Sequence, residues 1–316
     1  MGNLTYLKNL YLLSKDSHKG QNGKLLIIGG SHLFHSASLW SLKVASRIVD
    51  LVHYSSVEEN NKIVQKLKEE FRDGIVVPRA EIESYIEEDD CILIGPGMVR
   101  TETSNAKAQS ASWRTNPQLK SQSLKDIEKI GDEGVQTYYL TKYLLLKYPK
   151  KKWVIDAGAL QMMEPEWIPE NAILTPHHRE FELLKSKIQN SNFKPNPKFK
   201  FQNKQIEEQV KMFAKEYKCV VLLKGEKDIV ASKDQLEIIE GGNSGMTKGG
   251  TGDVLAGLVA ALYCKNDAFT SAVAASIINK KAGEDVYQKM GFWFNASDLA
   301  DQIPQTMKRL LLSTKR

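Results

Sequence analysis

Short apolar runs rich in isoleucine, valine and leucine recur along the chain, alternating with longer stretches whose apolar residues fall at helical spacing. Lys24–Ile28, Asp50–Tyr54, Gly74–Val77, Cys91–Ile94, Trp153–Asp156, Ala172–Leu174 and Cys219–Leu223 read as strands. They are apolar almost throughout, the pattern of strands buried on both faces. Between them, Ala37–Ile48 reads as an amphipathic helix and Val57–Glu70 as a charged surface helix. This succession predicts an α/β fold in which a mainly parallel sheet is covered by helices on both faces. After Leu223 the rhythm changes. Asp228–Ala231 and Leu236–Ile239, divided by a polar turn, predict an antiparallel hairpin extending one sheet edge. From Thr251 to about Met290 the chain reads as almost wholly helical.

Two segments interrupt the pattern. Residues 101–134 are rich in Ser, Thr, Asn, Gln and Lys, and residues 187–203 are similar, with two prolines. Strands resume after each in the same style, so both are expected to be surface insertions within one domain spanning residues 1–316.

Composition adds mainly exclusions. With 316 residues, 41% hydrophobic and 26% charged, the chain has the make-up of an ordinary soluble globular protein. The net charge of +6 sits in polar stretches and at the tail (Lys308, Arg309, Lys315, Arg316), which reads as a solvated surface rather than a nucleic-acid groove. Cys91, Cys219 and Cys264 are far apart and lie in or beside apolar segments, so they read as buried thiols in a reducing compartment. The longest apolar runs, such as Val254–Tyr263, fall short of the ~20 residues of a membrane span. The N-terminus offers no cleavable apolar core. A cytoplasmic location without membrane or nucleic-acid partners is therefore expected.

The chemistry gathers at the carboxyl ends of the strands, where open parallel sheets bind ligands. Five strands end in unusual tails: Gly29-Gly-Ser31, Gly95-Pro-Gly97, Asp156-Ala-Gly158, Thr175-Pro-His177 and Lys224-Gly225. One such glycine is ordinarily a tight turn, but five together point to a site. The run Asn243-Ser-Gly-Met-Thr-Lys-Gly-Gly-Thr-Gly-Asp253 leads into an apolar helix. Its glycines let backbone amides crowd an anion, and the helix N-terminus adds a favourable field. Asp253 is open to two readings: an N-cap, worth about 1 kcal/mol, or a general base that deprotonates a hydroxyl attacking a phosphoryl group. The Walker A spacing is absent, and no G-x-G-x-x-G follows the first strand.

The stretch Asn243–Gly257 resembles the signature of ADP/ATP-dependent NAD(P)H-hydrate dehydratases, members of the ribokinase-like superfamily. Gly23–Ser31 with Ala37, Ile94–Gly97, Val154–Leu160, Leu174–His177 with Glu180, and Leu223–Gly225 match the family's other blocks in order. The resemblance runs from about Gly20 to Pro304 and implies a ribokinase-like three-layer sandwich. It also implies a repair activity. The hydrated, inactive forms of NADH and NADPH (NAD(P)HX) would be phosphorylated on the ring hydroxyl with ADP or ATP, and loss of phosphate would restore the cofactor.

In this reading Asp253 activates the hydroxyl, and the amides from Gly250 to Gly252 hold the transferring phosphoryl group. Lys224, Gly225, Glu226, Lys227, Asp228, Asn243, Gly249, Thr251 and Gly252 are expected around the nucleotide. Ala37, Gly97, His177 and Asp253 are expected at the hydrated dinucleotide. His177 reads equally as a cap for the helix starting near Arg179. Asp156 reads either as a turn residue or as part of a Mg2+ and water network. The remaining histidines His18, His32, His35 and His53 show no partner pattern.

Ser36, Val99 and Asp228 depart from the family pattern and predict altered substrate affinity or nucleotide preference, with catalysis retained. The first strand near residue 24 implies that any NAD(P)HX epimerase acts as a separate protein, and a homo-oligomer is left open. Two other readings stand beside the dehydratase: a ribokinase-like kinase of a vitamin alcohol, and a catalytically weak nucleotide-binding protein.

Overall fold

The structure, a computed structural model, describes residues 4–101, 123–190 and 204–312. In chain order the elements are α1 (Leu4–Lys8), β1 (Lys24–Ile28), α2 (Ser36–Ala45), β2 (Leu51–Ser55), α3 (Glu58–Lys66), β3 (Ile75–Val76) and α4 (Ile82–Glu88). Next come β4 (Cys91–Ile94), α5 (Leu124–Glu128), α6 (Glu133–Lys147), β5 (Lys152–Ile155), α7 (Ala157–Met162), β6 (Ile173–Leu174) and α8 (His178–Asn190). The chain continues through α9 (Ile206–Glu216), β7 (Val220–Leu223), β8 (Asp228–Ala231) and β9 (Leu236–Ile239). It ends with α10 (Thr251–Tyr263), α11 (Ala268–Met290) and α12 (Ala296–Leu312).

All nine strands form one sheet in the order β3-β2-β1-β4-β5-β6-β7-β8-β9. Pairing is parallel from β3 through β7. The hairpin of β8 and β9 then adds two antiparallel strands at the edge, as the polar turn after Ala231 predicts. Successive side chains of a strand point to opposite faces, and both faces are filled. Leu25, Ile27, Cys91 and Leu93 pack beneath α2, α10, α11 and α12. Leu26, Ile28, Ile92 and Ile94 pack against α4 and α5–α9 on the other side. Three layers result.

Several boundaries differ from the sequence reading. The expected helix over 37–48 begins at Ser36 and stops at Ala45, followed by turns into β2. Part of the polar stretch 101–134 is not a surface insertion. Residues 102–122 lie outside the described residues, but α5 follows them, closed by a reciprocal cap between Ser123 and Asp126. It buries Leu124 and Ile127, and Gly134 already belongs to α6. Two apolar residues three apart are easily hidden in a polar stretch. The second stretch, 187–203, opens inside α8, where buried Lys187 donates to the carbonyls of Gln161 and Met163 (2.6 Å each). Residues 191–203 lie outside the described residues.

Candidate active site

The parallel ladder carries the strand-end tails into register with one another. Gly30 N–H donates to the Pro96 carbonyl (2.7 Å), Asp156 N–H to Ile94 (3.0 Å), and Lys224 N–H to Pro176 (2.8 Å). His177 and Lys224 form an isolated parallel bridge. The tails after β1, β4, β5, β6 and β7 therefore share one rim of the sheet, as the clustering of glycine and polar residues implied.

The loop from Asn243 to Gly250 closes over this rim. Gly250 is the N-cap of α10, with φ +95. A Cβ there would sit 2.3 Å from the Trp40 ring and 2.7 Å from the Ala296 Cβ, so neither the conformation nor the space admits a side chain. Asp253 is the third residue of the helix, not its cap. No side chain caps α10. The Thr251 hydroxyl instead turns back, 2.6 Å from the Met246 carbonyl and 2.9 Å from that of Lys248. The N-cap role weighed for Asp253 is thus set aside. Ser41 on α2 donates to the Asp253 backbone carbonyl (2.7 Å) and ties α10 to α2.

Beneath the helix lies a cluster of charge. Asp156 is buried, and its Oδ1 accepts from Lys224 Nζ and from Thr175 Oγ1, both at 2.8 Å. Its side chain caps nothing. Lys224 Nζ also lies 3.5 Å from where a Cβ on Gly252 would be, beneath the first turn of α10. Burial works against the lysine's charge, but Asp156, Glu180 and Asp253 hold its pKa above the ordinary value. Burial and the charge of Asp156 push the Asp253 carboxyl up to about 7, with Lys224 opposing. Three carboxylates thus face one lysine. The imbalance suits a proton on Asp253 or a cation brought to the site.

A cavity of about 970 Å³ opens beside this cluster. It is lined by Lys224, Gly225, Glu226, Lys227, Asp228, Asn243, Thr251 and Gly252, eight of the nine residues expected around a nucleotide. Gly249 does not line it and has open space on its Cα. The Asn243 side chain is occupied structurally, accepting from Gly245 N–H (3.0 Å) and donating to the Gly283 carbonyl (2.9 Å). Lys227 pairs with Glu240 at 2.6 Å on the exposed rim.

Asp228 is not a loose charge facing the ligand. Its carboxylate accepts from Gly225 N–H (3.0 Å) and Ser276 Oγ (2.7 Å), and Lys280 stands 3.4 Å away. Lys280 donates in turn to the carbonyls of Gly225, Glu226 and Gly241. Sequence reading missed Lys280 and its neighbour Asn279, which also line the cavity. The available signal was a pair of lysines, Lys280-Lys281, breaking the small apolar pattern of α11.

Of the residues expected at the dinucleotide, Ala37 and Gly97 meet at the start of α2, whereas His177 lines the large cavity. Gly97, with φ +73, lies so close to Ala37 that a Cβ would stand 3.0 Å from the alanine Cβ and 2.9 Å from the Phe34 carbonyl. Ser36 is exposed at the start of α2, and Val99 is half-buried beyond Gly97. His177 does cap α8: its Nδ1 accepts from Glu180 N–H (3.2 Å), while His177 N–H donates to Glu180 Oε2 (2.8 Å). Its half-exposed ring also lines the large cavity, so the two readings of this residue are compatible. Glu180 itself is buried and fixed by Gln161 (2.8 Å). Of the remaining histidines, His53 is buried against Asp89 (2.9 Å) and His32 contacts Glu133 on the surface. The three cysteines are free and buried.

Among the described residues no group of three or more His, Cys, Asp or Glu side chains is arranged to hold a metal ion. Nor is any described helix long and apolar enough to cross a membrane.

A family model described as NAD(P)H-hydrate dehydratase matches residues 130–305. An ADP-dependent (S)-NAD(P)H-hydrate dehydratase from Nitrosopumilus maritimus is 33% identical over 298 residues, covering 92% of this chain and 91% of its own length. A bifunctional NAD(P)H-hydrate repair enzyme from Methanocaldococcus jannaschii is also 33% identical, over 307 residues and 96% of this chain, but 51% of its own. The chain spans about half the length of several curated relatives of that longer kind. Among solved structures, the ADP/ATP-dependent NAD(P)H-hydrate dehydratase from Bacillus subtilis, co-crystallized with ATP/Mg2+, superposes with a TM-score of 0.69. It is 20% identical and covers 97% of each chain. The shared fold is the ribokinase-like three-layer sandwich.

Proposed function

The chain belongs to the NAD(P)H-hydrate dehydratase family, and from that premise we propose that it restores NADH and NADPH from their hydrates at the expense of a nucleoside di- or triphosphate. The observation that carries this reading is the placement of Asp253. It is a carboxylate of raised basicity in the first turn of α10, whose neighbours Thr251, Gly252 and Leu255 line the large cavity and beneath which Lys224 lies.

The ring hydroxyl of the hydrate is a poor leaving group. Asp253 takes its proton as the oxygen attacks the terminal phosphoryl group. A new oxygen–phosphorus bond forms while the bond to the nucleotide breaks. The amides of Gly250 and Gly252, with the dipole of α10, stabilise the charge on the transferring group, and Lys224 neutralises it from below. The carbon–oxygen bond then breaks with loss of inorganic phosphate. A proton leaves the neighbouring ring carbon, and the dihydropyridine is restored.

Mg2+ fits as an ion carried on the nucleotide phosphates. Asp156 would supply one of the one or two carboxylates such an ion ordinarily takes from protein, and the surplus of carboxylate over lysine favours it. Bound there, it would neutralise phosphate charge. His177, Ala37 and Gly97 are assigned to the hydrated nicotinamide half, and the residues from Lys224 to Asp228 to the nucleotide. The ADP-dependent names of relatives favour ADP over ATP. An epimerase that interconverts the hydrate's two forms is the expected functional partner, and the cytoplasm the expected location. The pairing of Asp228 with Lys280 speaks against one of the reasons for reading the site as catalytically weak.

The test is direct. Hydrated NADH or NADPH is incubated with the protein, Mg2+ and ADP or ATP, and the absorbance of the restored dihydronicotinamide is followed. No recovery with either nucleotide rejects the proposal. Phosphorylation of a pyrimidine or thiazole alcohol in place of the hydrate would assign the site to a vitamin kinase instead.

A further inference from the structure

A second cavity, of about 540 Å³, opens at the carboxyl ends of β2 and β3, on the same rim of the sheet as the site above. Ser56, Asn61, Lys62, Arg79 and Gln136 contribute to its wall. Arg79 follows β3 and is 6% exposed. Its Nη1 donates to Gln136 Oε1 (3.1 Å), but Nε and Nη2, both buried, have no hydrogen-bond partner. No carboxylate lies within ion-pair distance of it among the described residues. The acids on the wall are Glu58, which pairs with Lys62 at 2.6 Å, and the exposed Glu128. The N-terminus of α3, a nine-residue helix entered from Ser56 and Val57, faces the same space. A buried guanidinium with unspent donors is costly to a fold unless an anion completes it.

The cavity adjoins the corner assigned to the dinucleotide. A Cβ on Gly97 would lie 3.2 Å from Gly30, and a Cβ on Gly30 would fall against Ser56 and Asn60. In the sheet, β2 and β3 stand two and three strands from β4, roughly 10 and 14 Å at about 4.8 Å per strand. That separation is of the order of the distance between the two halves of an extended dinucleotide.

We propose that this cavity is a subsite for a phosphate group on the distal, adenylyl half of the hydrated dinucleotide, with Arg79 as its buried anchor and Lys62 at its rim. The inference rests on the dehydratase reading for the identity of the ligand. Two phosphates qualify: the 2′-phosphate, present in the NADPH hydrate alone, and the diphosphate bridge common to both hydrates.

Binding of adenosine 2′,5′-bisphosphate and of ADP-ribose is measured by calorimetry on the full chain, with saturating ADP to fill the large cavity. Turnover of both hydrates is measured alongside. In Arg79→Met, KM should rise about tenfold with kcat unchanged. A rise confined to the NADPH hydrate, with tenfold weaker bisphosphate binding, supports a 2′-phosphate contact. An equal rise for both hydrates, with tenfold weaker ADP-ribose binding, supports the diphosphate. A folded Arg79→Met that leaves probe binding and both KM values within twofold of wild type overturns the subsite. Should Arg79→Met fail to fold, Lys62→Ala decides: a twofold or greater loss of probe binding supports the subsite, and no loss overturns it. Probe binding needs no turnover, so a protein that binds but does not dehydrate sinks the reaction and leaves the anion site standing.

Discussion

Asp253 carries the sharpest consequences at the scale of single residues. Its general-base role requires the ionised carboxylate, so kcat/KM should rise with pH through about 7 and level off above it. A profile flat from pH 5.5 to 8.5 would remove Asp253 from that role. Asp253→Asn should lower kcat by about 10²–10⁴-fold while nucleotide affinity, read by calorimetry, stays largely intact. The same shift bears on stability. The folded-state pKa is raised above an unfolded value of about 3.9, so the stabilisation is full below pH 4 and is lost as pH rises through 7. The asparagine variant escapes that loss. Its Tm should match wild type near pH 3.5 and exceed it at pH 8.5, by roughly 2–4 °C for each 1 kcal/mol recovered. Thermal scans at the two pH values check this, and a wild type more stable at pH 8.5 would contradict it. Residue types and their order were legible here, because a glycine run before an aspartate has few other uses. The ion pair of Asp156 with Lys224 was not, since 68 positions of sequence separate its partners.

At the scale of elements, two joints hold the large cavity. The first is the entry to α10. Gly250→Ala places a methyl against Trp40 in a left-handed conformation, which alone costs roughly 1–2 kcal/mol. Chemical denaturation should show at least that loss, accompanied by reduced turnover. The second joint is the buried pair of Asp228 and Lys280, which fastens the turn after β7 and the glycines at 241–242 to α11. Lys280→Met leaves a buried carboxylate uncompensated and should cost about 3–5 kcal/mol. The double variant Asp228→Thr with Lys280→Met should recover much of it, and additive losses would refute the coupling. Strands and their edge hairpin could be read in advance because continuous apolar runs have few other homes. Helix ends were less legible: α2 stops at Ala45 through a turn into β2, while α5 hides two core residues in a polar stretch. Asp228 looked like an intruder because its partner belongs to a helix nearly fifty residues away.

For the whole molecule, the parallel sheet places the candidate site on one rim and the supporting helices on two faces. A ligand joining these loops should stabilise the fold as a unit. ADP with Mg2+ at a hundred times its dissociation constant should add about 2.7 kcal/mol, seen as a concentration-dependent rise in Tm. If Tm is unmoved by ADP while turnover persists, the large cavity is not the nucleotide site. Three-layer architecture was foreseeable from the alternation of buried strands and helices. What the chain's order did not reveal is that the rim continues past β1 to a second cavity, because Arg79 stands alone in sequence between a proline and an alanine.

The seat of Gly250 between Trp40 on α2 and Ala296 at the start of α12 bears on how the protein is made. Trp40 leaves a ribosome before Gly250, and Ala296 leaves after it. The α10 N-terminus is therefore held in its working geometry only after the C-terminal helix has docked. A nascent chain already carrying Asp253 lacks the seat that aims its phosphate-facing amides. That geometry therefore waits for the part of the chain that follows Asp253.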